Sequence, residues 1–208
     1  MTRDPLDRYY TPDALALGCM RALLSGAHRP DVVLEPCSGG GAFGRAALSL
    51  GVPAVLGCDI DPDAAPGYPC ERVPAATWSP ALPANKRVWI VTNPHYVGVY
   101  ETVATLRALQ VRTGADVLAL LLRETTIGQL MCGDDPPHAL HVSAIRPRWG
   151  GAGGAGLSSG DTCGSVLSVW RRIGPAAESW GIPTTIHALP PWRPKGKAAA
   201  ETPQPRLF

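Results

Sequence analysis

Short apolar runs alternate along this chain with stretches in which apolar residues recur at helical spacing. Asp31 to Glu35 (DVVLE), Ala54 to Asp59 (AVLGCD), Arg87 to Thr92 (RVWIVT) and Ala115 to Leu122 are brief, almost wholly apolar, and bounded by Gly, Pro or Asn. That pattern predicts strands buried on both faces. Cys70 to Val73 predicts a further short strand. Between them, Gly41 to Leu50, Val97 to Arg112 and Glu124 to Met131 read as helices. Thr11-Pro12-Asp13 reads as the capped start of a helix running over Ala14 to Leu24, with Pro in its first turn. Leu140 to Ile145 and Ser165 to Arg171 predict a late strand pair around the glycine-rich stretch Gly150 to Gly164. Strand and helix in alternation imply an α/β fold with a mostly parallel sheet, helices on both faces, and an antiparallel edge from the last pair. The chain reads as one domain over residues 1–189. From Pro190 (PPWRPKGKAAAETPQPRLF) it becomes Pro-rich and polar, as expected of a flexible tail.

Composition narrows this picture. With 208 residues, 45% of them hydrophobic, one substantial core is available. Gly (23) and Pro (22) are plentiful and Phe (2) scarce, so packing relies on small side chains and many turns. A net charge of +2 excludes a polycation that coats nucleic acid without discrimination; contact with a polyanion calls for a local patch. The six cysteines form no CxxC pair and no Cys/His cluster at ligand spacing, so no metal is expected. The polar start (MTRDP) lacks the apolar core of a secretory signal, and no apolar run approaches the ~20 residues of a membrane span. The expected setting is cytoplasmic, with reduced thiols and no membrane partner.

Candidate chemistry begins where the first strand ends. Glu35-Pro36 runs through Ser38-Gly39-Gly40-Gly41 into a helix, and glycines at such a turn let backbone approach a ligand closely. Asp59 closes the next strand twenty residues after Gly39, where a carboxylate accepts the ribose hydroxyls of an adenosine. Tyr9-Tyr10-Thr11-Pro12 precedes a helix able to fold back over the same place. Gly39, Gly41 and Gly44 also satisfy GxGxxG, so the glycines alone leave S-adenosylmethionine (SAM) and NAD both open.

Thr92-Asn93-Pro94-His95-Tyr96 follows the strand RVWIV. In a doubly wound sheet ligands bind at the carboxyl ends of the strands, so Asn93 is expected to face the crevice of Gly39 and Asp59. An aryl amine is a poor nucleophile because its lone pair is delocalised into the ring. Two acceptors holding both N–H hydrogens favour a tetrahedral nitrogen, and the Asn93 side-chain oxygen and the Pro94 carbonyl are suited to this. Tyr96 offers a flat face for an extruded base.

These residues together resemble the amino-methyltransferases of the adenine-specific DNA type, especially small phage and prophage forms. Those carry a (Y/W)YTP segment, a (D/E)PxxGxGxF loop, an acidic residue after the second strand and an (N/D)PP(Y/F) tetrad. Here the counterparts are Tyr9-Tyr10-Thr11-Pro12, Glu35-Pro36 through Gly39, Gly41 and Phe43, Asp59, and Asn93-Pro94-His95-Tyr96. The resemblance covers residues 9 to 96. It implies a Rossmann-like methyltransferase fold, SAM as cofactor, and direct transfer of the methyl group to nitrogen with no covalent enzyme intermediate. The cofactor site it implies comprises Tyr10, Thr11, Pro12, Glu35, Pro36, Gly39, Gly41, Phe43, Asp59, Thr77 and Asn93, with Asn93, Pro94 and Tyr96 catalytic. Two departures stand out. His95 replaces the usual second proline, and after the third strand Ala75-Ala76-Thr77-Trp78 offers only Thr77 and an aromatic face where the family often has an Asp.

The tetrad reports an amino or amide nitrogen rather than the polymer bearing it, so adenine in RNA and glutamine amides in proteins remain alternatives to adenine in DNA. An NAD-dependent oxidoreductase and a non-catalytic SAM- or DNA-binding relative stand as further readings. DNA is favoured by the YYTP segment and the phage-like layout. His95 and Tyr96 are placed against the target base. Arg146 and Arg148, together with Arg171 and Arg172, flank the glycine-rich loop as phosphate contacts, and Pro136 to His141 is a second candidate recognition loop. The terminal Gln204-Pro205-Arg206-Leu207-Phe208 has the form QxxLF, similar to peptides that dock bacterial replication and repair proteins on the sliding clamp.

Overall fold

The computed structural model describes residues 10–25, 28–142, 164–172 and 185–188. In chain order its elements are α1 (Asp13–Leu24), β1 (Val32–Pro36), α2 (Ala42–Ser49), β2 (Ala54–Cys58), β3 (Cys70–Glu71) and β4 (Val88–Thr92). Then follow α3 (Val99–Thr113), β5 (Val117–Arg123), α4 (Glu124–Met131), β6 (Ala139–Val142), β7 (Ser165–Arg171) and β8 (Thr185–Ala188). The strands form one eight-stranded sheet in the order β3-β2-β1-β4-β5-β7-β6-β8. Strands β1 to β5 pair in parallel, while β7 runs antiparallel to both its neighbours, β5 and β6.

Period-two side-chain alternation divides the core into two layers. On one face Val33, Trp89, Val91, Val117, Ala119 and Leu121 pack beneath α1 and α2. On the other, Val32, Leu34, Val88, Ile90, Leu118, Leu120 and Leu122 pack beneath α3. Both faces of β1, β4 and β5 are therefore dry, which is why those strands read as unbroken apolar runs. Helices α1 and α2 lie against each other and join at the surface through Asp13 and Arg45.

Several details correct the sequence reading. The antiparallel strand β7 lies inside the sheet rather than at its edge, because residues 165–170 are buried on both sides and need cover from β5 and β6. The edge is instead β8, a four-residue strand parallel to β6 that the sequence pattern did not announce. Helix α1 begins at Asp13 with Pro12 as its N-cap and no side-chain cap, so Thr11 does not serve as one. Strand β3 spans two residues rather than four. Strand β6 starts at Ala139, and residues 143–145 of its expected range lie outside the described residues. The Pro-rich stretch from Pro190 lies outside them as well.

Candidate functional site

The order of strands reverses between β1 and β4, the parallel neighbours from which the sheet grows outward on both sides. Parallel pairing of Val32, Val33 and Leu34 with Val88, Trp89 and Ile90 brings both carboxyl ends to one rim, so Pro36 and Thr92 finish side by side. The Thr92 hydroxyl donates to the Pro36 carbonyl, and Thr92 is fully buried. This bond staples the turn after β1 to the turn after β4. A cleft of about 620 Å³ opens above it. Its walls include Tyr10, Gly39 and Asp59 on one side and Asn93, Pro94, His95 and Tyr96 on the other. The sequence placed these two groups in one crevice, and the coordinates do the same.

The first wall is built by backbone economy. Gly39 has φ +48°, a left-handed conformation, and a Cβ there would come within 3.1 Å of the Tyr10 ring. Its N–H donates to Asp59 Oδ2 at 2.7 Å, and the Asp61 N–H donates to Asp59 Oδ1 at 2.8 Å. Each carboxylate oxygen keeps a second acceptor site. Ser38, buried, donates its hydroxyl to the Glu35 carbonyl at 2.5 Å and so tightens the turn.

Glu35, Gly41, Phe43 and Pro36 do not line the cleft; they hold its wall in place. The Glu35 carboxylate, 2% exposed, accepts the N–H groups of Phe43 at 3.3 Å and Gly44 at 2.6 Å, together with the Tyr68 hydroxyl. It thereby satisfies orphan donors in the first turn of α2. Burial pushes its pKa up to about 7, against the opposing pull of Tyr68 and the two amides. A Cβ on Gly41 (φ +74°) would collide with Pro66, and one on Gly44 with Tyr68. Both glycines therefore answer to close packing, while Gly39 faces the cleft. Phe43 is fully buried in the layer beneath α1 and α2. Cys37 also borders the cleft, and burial pushes its thiol up to about 12.

The second wall is the loop between β4 and α3. Asn93 and Tyr96 are half-buried, and the Tyr96 hydroxyl donates to Asn93 Oδ1 at 2.9 Å. The Arg123 guanidinium lies over the Tyr96 ring, 4.6 Å from its centroid. His95 is exposed, and its Nε2 sits 3.0 Å from the Thr102 hydroxyl. Thr102 gives its single hydroxyl proton to the Gly98 carbonyl at 3.1 Å, which leaves its oxygen to accept from His95 Nε2–H. His95 is thus tied to the first turn of α3.

Other expected residues fall elsewhere. Thr11 and Pro12 are half-buried outside the cleft lining. Thr77 is exposed and spends its hydroxyl on the Pro74 carbonyl at 3.2 Å, while Val73, Pro74, Ala75 and Ala76 form that side of the cleft. Trp78 offers no free face: it is 1% exposed and its indole donates to Glu71 at 2.9 Å. Arg172 pairs with Asp116 at 2.9 Å, whereas Arg171 is exposed. Within 136–141, the His138 ring accepts the Arg171 backbone N–H at 2.9 Å. Arg146, Arg148, most of the glycine-rich loop and Gln204 to Phe208 lie outside the described residues. Among the described residues, no three His, Cys, Asp or Glu side chains come together to hold a metal ion, and no helix is long and apolar enough to cross a membrane.

Sequence reasoning missed Thr92 as the staple, Tyr68 as the partner of Glu35, and Arg123 behind Tyr96. Each acts across a long sequence separation and has no local pattern. Only Arg123 had a faint signal, as the first charge after an apolar strand.

Fold and cleft together define a doubly wound α/β protein with a cleft at its topological switch point, where ligands bind in such sheets. No protein-family model matches the chain, and no curated protein does. Solved structures do. It is similar to a Pyrococcus horikoshii protein provisionally described as an RNA methyltransferase, with 12% identity over 81% of this chain and 88% of that one, at a TM-score of 0.60. It is also similar to Thermoplasma acidophilum protein 1320, with 14% identity over 76% and 88% of the two chains, at a TM-score of 0.52. At such identities the likeness establishes the fold alone, a Rossmann-like α/β fold.

Proposed function

We propose that the protein is a SAM-dependent methyltransferase acting on an amino nitrogen, with the exocyclic amine of adenine in DNA as the favoured acceptor. The observation that carries this reading is the placement of Asp59, just after β2, and Asn93, just after β4, in the lining of one cleft. The cleft fits the cofactor on this chain's own features. Gly39 leaves a cradle where a Cβ would press on Tyr10, and Asp59 keeps one acceptor site on each oxygen for a pair of ribose hydroxyls. Its volume of about 620 Å³ is within the range that encloses a small molecule. When bound there, SAM supplies an electrophilic methyl group.

The residues of the opposite wall do the rest. Asn93 Oδ1 and the Pro94 carbonyl accept the two amine hydrogens and orient the nitrogen lone pair. Tyr96 offers a ring to the extruded base. The acidic product ammonium loses its proton to water, and His95 Nε2, engaged by Thr102, is not required for that step. The YYTP segment and the phage-like layout support adenine in DNA over RNA or a protein amide.

The test separates the walls. Asn93→Ala lowers kcat on unmethylated DNA by about 10²–10³-fold or more, with little change in SAM affinity by titration calorimetry. Asp59→Ala weakens SAM by about 10–100-fold, as expected for loss of a charged acceptor. Equal loss of SAM affinity in both variants rejects this division. Parallel assays on RNA and a glutamine-bearing protein identify the acceptor.

A further inference from the structure

Arg123 is assigned no part in the site by its sequence position and does not line the cleft. Its backbone is nonetheless fixed from two sides. It pairs with Ser165 across the β5–β7 ladder, and its carbonyl accepts the Thr126 hydroxyl at 2.7 Å where α4 begins. Parallel pairing of Thr92 with Leu120 places residue 123 beyond the end of β4, beside the loop that carries Asn93 to Tyr96. From there the guanidinium covers one face of the Tyr96 ring at 4.6 Å. Tyr96 borders the cleft and Arg123 does not, so Arg123 acts on the site only through that ring.

A cation over a π-face withdraws electron density from the ring. A phenol so polarised is a better hydrogen-bond donor and a poorer acceptor. The Tyr96 hydroxyl meets Asn93 Oδ1 at 2.9 Å, so a strong donor there favours the carboxamide with its oxygen, not its NH₂, toward Tyr96. The alternative amide orientation would set N–H against the N–H of an incoming amine. We infer that Arg123 is a positioning residue: through Tyr96 it holds the Asn93 amide oxygen in the accepting orientation. The inference rests on the methyltransferase reading above and adds a residue to it.

The experiment is a double-mutant cycle on methyl transfer to unmethylated plasmid DNA, with kcat and KM measured for wild type, Arg123→Met, Tyr96→Phe and the pair. Each single variant lowers kcat by about ten-fold, while KM for DNA and SAM affinity change little, because geometry at the reacting nitrogen is lost and binding is kept. Since both act through one hydroxyl, the double variant is no slower than the slower single. A kcat unchanged in Arg123→Met, or losses that multiply to about a hundred-fold, overturns the inference. So does a raised KM with intact kcat, which assigns Arg123 to phosphate contact. If Arg123→Met does not fold, Arg123→Gln runs the same cycle. A wild-type protein that methylates no amino acceptor removes the methyltransferase reading itself, whereas an active wild type with a failed cycle removes only the role of Arg123.

Discussion

A buried carboxylate at the start of a helix faces two opposing influences, and Glu35 shows which one prevails. Two α2 amides and the Tyr68 hydroxyl favour its charged form, while burial at 2% exposure disfavours it more, leaving a pKa of about 7 against an ordinary 4.5. The folded protein therefore binds a proton that the unfolded chain releases between those values. With the folded-state pKa raised, the stabilisation is full below pH 4.5 and is lost as pH rises through 7. A displacement of this size corresponds to on the order of 3 kcal/mol. Urea unfolding should show wild-type stability falling from pH 5 to pH 8 relative to Glu35→Gln, whose amide does not titrate. Parallel pH profiles for the two proteins would show that the amides dominate instead. The family resemblance marked Glu35 as a cofactor residue; its anchoring role involves Tyr68, thirty-three residues away and invisible to any local pattern.

At the scale of elements, periodicity revealed whatever is buried on both faces. The β7 limits fall where expected, and β1, β2, β4 and β5 differ by a residue or two, because apolar runs flanked by turn formers have one stable location. Strand β8 escaped because four residues, Thr185 to Ala188, carry too little apolar pattern, and Ile186 is 72% exposed. Its docking depends on pairing with β6, where His187 stands opposite His141 and the rings stack at 4.8 Å. Burial, then the neighbouring His187 and Arg171, push His141 down to about 4. With the folded-state pKa depressed, the unfolded or undocked strand takes up the proton first, so docking is favoured above the ordinary value of 6.5 and weakens as pH falls toward 4. Hydrogen exchange of the amides in 185–188, corrected for intrinsic rates, should lose protection by at most about ten-fold per pH unit across that window. His141→Phe keeps a ring to stack and should flatten the dependence; wild-type protection that ignores pH would discount the pair.

For the whole molecule, the cleft is a joint between two halves of one sheet. Its glycine turn and tetrad were legible in the sequence because each is a contiguous motif at a strand end, and the rule that ligands gather at carboxyl ends joined them. The Thr92–Pro36 staple that fixes their relative position spans fifty-six residues and was not legible. A ligand touching both walls adds a second tie between them, and its binding must appear as global stability. At a concentration one hundred times its Kd, a ligand that binds only the folded state contributes about 2.7 kcal/mol, which for a chain of this length raises Tm by about 5–10 °C. The same GxGxxG turn would serve NAD, so thermal melts with each ligand decide between the two chemistries. SAM should give the rise and NAD none, and the SAM response should shrink in Asp59→Ala at an unchanged ligand concentration because that wall no longer grips the ribose. A rise with NAD alone would mean that the tetrad faces a nicotinamide, and the amino-methyl chemistry assigned to Asn93 would have to be abandoned.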